Sequence, residues 1–209
     1  MIEPQYRDNV ILHRLDLASF DSINSYASKL NQTVSEIDYL INNAGIMMCK
    51  EDKTQDSFEL QFGCNYLGPF LLTHLLMDKL KAAPAARIIN LSSISHNAGI
   101  IHFNNINLVG IYSPLRAYAQ SKLATILWTR ELAKRLANTN VKTYAVHPGL
   151  ANTELYTNSD SALVRFSSNF GSLGFISTEQ GAQTILYCAF DQEVANESGH
   201  YYKLVCVNG

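Results

Sequence analysis

Long apolar runs are absent from this sequence. No uninterrupted stretch reaches the roughly 18 residues that a membrane-spanning helix needs. The segment from Met1 to Asp8 has no apolar centre of the kind a signal peptide carries. Charge is sparse as well. Charged residues make up 16% of the chain and the formal net charge is −2. Such a balance provides no long-range field to recruit nucleic acid or an anionic membrane. The four cysteines, Cys49, Cys64, Cys188 and Cys206, lie far apart with no C-x-x-C pair. That usage reads as reduced thiols in an intracellular protein, not as a disulfide frame or a zinc site. His13, His74, His96, His102, His147 and His200 show no repeated ligand spacing, so no metal site is expected. Internal repeats and low-complexity segments are missing too.

What is present is an apolar fraction of 47% in 209 residues. That suits one globular domain over residues 1–209, burying roughly 70% of the surface of the unfolded chain. Disordered, coiled-coil and collagen-like classes are excluded. Apolar runs alternate with helical periodicity. Val10-Ile11-Leu12 through Asp16 reads as a strand end, and Ser19 as the cap of a helix carrying Ile23, Tyr26, Ala27, Leu30 and Val34. Tyr39-Leu40-Ile41 is a strand stopped by Asn42-Asn43-Ala44-Gly45. Residues 54–81 have helical period, with a kink expected near Gly68-Pro69. Residues 87–91 form a buried strand stopped by Ser92-Ser93. A long helix spans 115–137, and a strand over 142–146 stops at Pro148-Gly149. Ser177-Thr178-Glu179-Gln180 is a capping box for a helix to about Phe190, and 201–207 is a closing strand. The glycosylation-like triplet at Asn90 falls inside a buried strand, where no glycan fits. Together these elements predict an α/β fold with a parallel sheet. The segment 152–176 is too long for an ordinary connection and reads as a lid.

In open parallel sheets, ligands sit beyond the carboxyl ends of the strands. Those ends read Asp16, Asn42 to Gly45, Ser92-Ser93 and Pro148-Gly149. Each alone is also ordinary turn chemistry. Tyr118 and Lys122 add an i, i+4 pair on one helix face. An ammonium 4 Å from a phenol attracts the phenolate by about 1 kcal/mol in water and about 4 kcal/mol at an effective dielectric near 20. The larger value lowers a tyrosine pKa of about 10 by up to roughly three units, which suits a general acid/base near neutral pH.

The set Asn42-Asn43-Ala44-Gly45, Asn65, Ser93, Tyr118-x-x-x-Lys122 and Pro148-Gly149 resembles the short-chain dehydrogenase/reductase family in order and context. The words LINNAGIMM (40–48), TRELAKRL (129–136) and TYAVHPG (143–149) resemble its retinol dehydrogenase group. The resemblance covers nearly the whole chain. It implies a Rossmann-like, doubly wound α/β sheet and an oxidoreductase moving a hydride between NADP(H), or NAD, and a retinoid-like or other lipophilic alcohol or aldehyde. Under it, Tyr118 exchanges the proton, and Lys122 assists it and holds the nicotinamide ribose. Ser93 holds the substrate oxygen, and Asn65 holds a relay water. Asn43, Ala44 and Gly45 flank the adenosine side, and Asp16-Leu17 contacts adenine. Pro148, Gly149 and Thr153 face the nicotinamide. Asn65 alone also fits a helix-kink filler, and Thr153 an N-cap. The resemblance admits a homodimer through the helices carrying Asn65 and Tyr118, and a longer form associated with endoplasmic reticulum or mitochondrial membrane.

One departure from the family is large. Its Gly-rich pyrophosphate loop has no counterpart here, because the first glycine is Gly45. The sequence resembles the family from just before its third strand, so its first two strands and the residues that select NADP over NAD are not in this sequence. Val10 to Asp16 must then pair with the Tyr39 strand or stay unpaired. The alternative implied is a truncated, non-catalytic binding or interaction protein.

Overall fold

A computed structural model describes residues 8–149 and 177–203. The lid segment with Thr153, Cys206 and the end of the expected last strand lie outside the described residues.

Among the described residues, four parallel strands form one sheet in the order β1-β2-β3-β4: β1 Tyr39–Asn42, β2 Ala86–Leu91, β3 Val141–His147 and β4 Tyr201–Lys203. Parallel strands need crossover connections, and helices supply them. The helices are α1 Phe20–Thr33, α2 Leu60–Phe62, α3 Gly68–Leu75, α4 Met77–Ala82, α5 Pro114–Arg135 and α6 Thr178–Phe190. The expected α/β architecture is therefore present.

Strand alternation divides the core into layers. Ile88 points with Val141 toward α4 and the end of α5, joining Leu80, Ala83 and Leu136. Ile89, the next residue, points the other way with Tyr144 and Val146, against Cys188 and Ala189 of α6. Both isoleucines are fully buried. Each such side chain contributes roughly 1.5–3 kcal/mol. Ser177 and Gln180 close the reciprocal capping box at the start of α6, as the sequence signature predicts. Asn90 is buried, in keeping with its place in β2.

Two elements differ from the sequence reading. The helical stretch starts at α2, not at Thr54, because Glu59 is its N-cap and accepts from the N–H groups of Gln61 and Phe62. A π-helical turn, Gly63–Leu67, follows before α3. Its cause is local: the ring of Pro69 would clash with the carbonyl of Asn65 in a regular α-helix, and the wider turn makes room. The expected kink is thus a π-turn.

The second difference is the segment 10–16, which forms no strand. Leu15 and Leu17 pack on the cluster of Ile23, Ala27, Leu72 and Leu76 between α1 and α3. Val10, Ile11 and Leu12 are 40%, 78% and 86% exposed. Among the described residues β1 is an edge strand of the sheet, and segment 10–16 does not pair with it. Replacing Ile11 and Leu12 by lysine is therefore expected to change unfolding stability by less than about 0.5 kcal/mol. Urea titration checks this, and a loss above about 2 kcal/mol would show that the segment is paired.

Candidate functional site

The carboxyl ends of the strands share one rim, and the candidate residues gather there. Asn43 and Ala44 follow β1 and are exposed, and Gly45 is half-buried. A methyl group added at Gly45 would lie 3.0 Å from Asn65 Oδ1 and 3.6 Å from Lys122 Nζ. A side chain at residue 45 would crowd Asn65 in particular, so glycine suits this close approach of the β1 loop and the π-turn.

Asn65, buried within the π-turn, ties that loop down. Its Oδ1 accepts from Ile46 N at 2.8 Å, and its Nδ2 donates to Ile46 O at 2.9 Å and to Ser121 Oγ at 3.0 Å. Ser121 passes the contact on by donating to the Tyr118 carbonyl at 2.8 Å. Sequence reasoning overlooked Ser121. A serine inside a helix, three residues after the tyrosine, was its only signal.

Tyr118 and Lys122 share the buried face of α5, as their spacing predicts, with Lys122 Nζ 5.5 Å from the Tyr118 ring centroid. Lys122 Nζ also donates to Leu91 O at 2.9 Å, at the end of β2. Burial lowers the Lys122 pKa to about 8, because desolvation penalises the ammonium. The two serines after β2 divide their tasks. Ser92 Oγ donates to the Lys122 carbonyl at 2.8 Å and so holds the helix backbone. Ser93 Oγ lies at the strand end and, among the described residues, hydrogen-bonds with its near neighbour Ser95, accepting from Ser95 N at 3.2 Å. His96 Nδ1 and Ser93 O are 2.7 Å apart.

At the end of β3, His147 is buried, and burial first, then His96 and Lys203, lower its pKa. Pro148 and Gly149 follow it, and Gly149 has φ 91, a value that disfavours any side chain. Asp16 and Leu17 stand apart from the tyrosine and lysine. Asp16 Oδ1 accepts from Ala18 N at 2.9 Å in the turn leading to α1, and Leu17 packs with α1 and α3. Among the described residues no group of His, Cys, Asp and Glu is placed to hold a metal ion, and no helix is long and apolar enough to cross a membrane.

An aromatic groove of about 560 Å³ lies on the outer side of α5. Phe62, Tyr66, Phe70 and Trp128 line it, and Phe70 and Leu127 are 41% and 46% exposed.

Comparison with known proteins agrees with this geometry. The family profile described as short chain dehydrogenase matches residues 2–163. Mouse retinol dehydrogenase 11 is 45% identical over 193 residues, covering 92% of this chain and 60% of that protein. Human retinol dehydrogenase 13 is 46% identical over 199 residues, covering 93% of this chain and 60% of that protein. The chain therefore spans about 60% of the length of these relatives. Among solved structures, an uncharacterised protein from Mycobacterium paratuberculosis is 34% identical with a TM-score of 0.70, covering 91% of this chain and 61% of that one. NADPH-bound carbonyl reductase from chicken fatty liver superposes with a TM-score of 0.65 at 21% identity, covering 96% of this chain and 77% of that one, a likeness of fold alone. A parallel sheet whose strand ends gather Gly45, Asn65, Ser93, Tyr118 and Lys122, together with a profile match over most of the sequence, makes this chain a member of the short chain dehydrogenase family, related to the retinol dehydrogenases.

Proposed function

We propose that this chain carries the catalytic half of an NADP(H)-dependent oxidoreductase acting on a retinoid-like or other lipophilic alcohol or aldehyde. The observation that carries the reading is the single cluster formed by Gly45, Asn65, Tyr118 and Lys122 beneath the end of β2. When bound, the nicotinamide cofactor supplies or accepts the hydride.

The residues present fit the nicotinamide half of such a cofactor. Bare backbone at Gly149, with φ 91, leaves room for a flat ring, and Lys122 offers a donor for its ribose. In reduction, Tyr118 gives its phenolic proton to the substrate oxygen, and in oxidation it takes that proton back. The Lys122 ammonium near the ring favours the charge left on the phenol oxygen. Ser93 holds the substrate oxygen by a hydrogen bond. The Asn65 side chain is committed to Ile46 and Ser121. The resemblance puts the water that relays protons toward Lys122 at Asn65, whose carbonyl has no donor four residues on because residue 69 is proline. Asn43, Ala44 and Gly45 flank the adenosine half, and Asp16-Leu17 and Thr153 complete the contacts on either side. The assignment of NADP, with NAD as the alternative, comes from the sequence resemblance, since the residues that select between them are not in this sequence.

The aromatic groove favours a second property, a homodimer. Interface cores are enriched in the aromatic residues it presents. Pairing through this face also accommodates the reading of the chain as an interaction partner for a longer relative.

Four outcomes are expected. NADPH added to the 209-residue chain quenches Trp128 fluorescence saturably and raises thermal stability in step with its concentration; a folded chain that shows neither would refute the cofactor assignment. With retinal as substrate, Tyr118→Phe lowers turnover by more than about 100-fold, and unchanged turnover would overturn the proton role. Between pH 8 and 10.5 the folded chain has released the Lys122 proton while the unfolded chain still holds its own. Stability relative to a Lys122→Met variant therefore rises with pH across that window, and the burial penalty is largest below it. Light scattering tests the dimer: Phe70→Glu with Leu127→Glu should convert it to a monomer.

A further inference from the structure

Gln61 is fully buried and uses its whole side-chain amide. Its Oε1 accepts from Met48 N at 2.9 Å. Its Nε2 donates to Pro114 O at 3.0 Å and to Tyr112 Oη at 3.2 Å. Tyr112 in turn donates to Cys49 O at 2.8 Å. The anchored backbone is unusual. Met48 has φ 56 and is buried, and a left-handed conformation costs a non-glycine residue of this kind about 1–2 kcal/mol. Such a conformation persists only where its surroundings over-determine it. Here the constraint comes from Gln61 on one side and from Tyr112 on the next residue.

The two ends of this contact are informative. Met48 follows the Asn43–Gly45 turn, and Pro114 opens α5 one turn before Tyr118. One helical turn beyond Gln61, Asn65 repeats the pattern, joining Ile46 to Ser121 of the same helix. We infer that Gln61 is a positioning residue: its amide locks the strained 46–49 segment against the first turn of α5, and so sets the spacing between the loop after β1 and the Tyr118–Lys122 pair. Tyr112 is the outer half of the same lock. The consequence for cofactor affinity rests on the function proposed above. The lock itself does not.

The experiment is a double-mutant cycle on the 209-residue chain with Gln61→Met and Met48→Asn, reading urea stability and NADPH affinity. Asparagine tolerates the left-handed region, so Met48→Asn removes the strain that Gln61 holds in place. Gln61→Met alone is expected to weaken NADPH binding about tenfold and to lower stability. In the Met48→Asn background both penalties should shrink at least threefold. A general loss of packing would leave the affinity penalty unrelieved. Equal penalties in the two backgrounds overturn the lock.

If the unaltered chain binds no NADPH, the cofactor reading fails on its own, and coupling in stability alone decides the lock: coupled penalties support it and additive ones overturn it. Should Gln61→Met fail to fold, Tyr112→Phe takes its place in the cycle, because Tyr112 lies nearer the surface. Hydrogen exchange of the Met48 amide gives an independent reading. Slow exchange supports the lock, and exchange at the rate of an exposed loop overturns it.

Discussion

The cost of burying the Lys122 ammonium governs the arrangement around it. Bringing such an ion out of water costs several kcal/mol even after relaxation, and the lowered pKa is one expression of that cost. The Leu91 carbonyl offsets part of it, and it can do so only because β2 ends there. Ser92 then holds the helix backbone at the lysine itself, so the strand end and the helix cannot drift apart. Tyr118 sits one turn earlier on the same buried face. A flexible surface lysine could approach the phenol from many directions. A buried one has few positions open to it, and each is fixed by β2.

A polar ladder gives the sheet a comparable rigidity. Asn42 lies opposite Asn90 in the β1–β2 register and donates to its Oδ1 at 2.8 Å and to Thr73 Oγ1 at 3.1 Å. Asn90 continues the chain to Thr129 and Thr143. These groups lie on the face toward α3 and α5, where an unpaired amide would cost about 1–3 kcal/mol. A one-residue slip of β1 would turn Asn42 to the other face and strand its partners. The ladder therefore fixes the loop after β1 at the height where Gly45 meets Asn65 and Lys122.

Much of this was legible in the sequence, for physical reasons. The runs that became β1, β2 and β3 are short, apolar and stopped by small polar residues, a pattern that depends only on local composition. The Tyr118–Lys122 spacing carries over directly because helical geometry is fixed. The segment 10–16 shows where such reading ends. Its composition matches that of the true strands, yet pairing depends on what lies beside it in space. The π-turn was visible only as a proline after a glycine, without its register. Gln61 and Ser121 left almost no trace, because a buried amide and a mid-helix hydroxyl acquire their meaning from partners up to 56 residues away.

A parallel sheet is polar as an object, and this one places every candidate residue of β1, β2 and β3 at their carboxyl ends. Among the described residues, the opposite rim, where β2 and β3 begin, holds connecting turns. Pro84 and Ala85 precede β2 on an exposed bend, and Ala137 and Asn138 do the same before β3. A probe or an inserted module attached there would stand a full strand length from the chemistry. The molecule thus has a side by which it can be held, and that side is the far end of its own sheet.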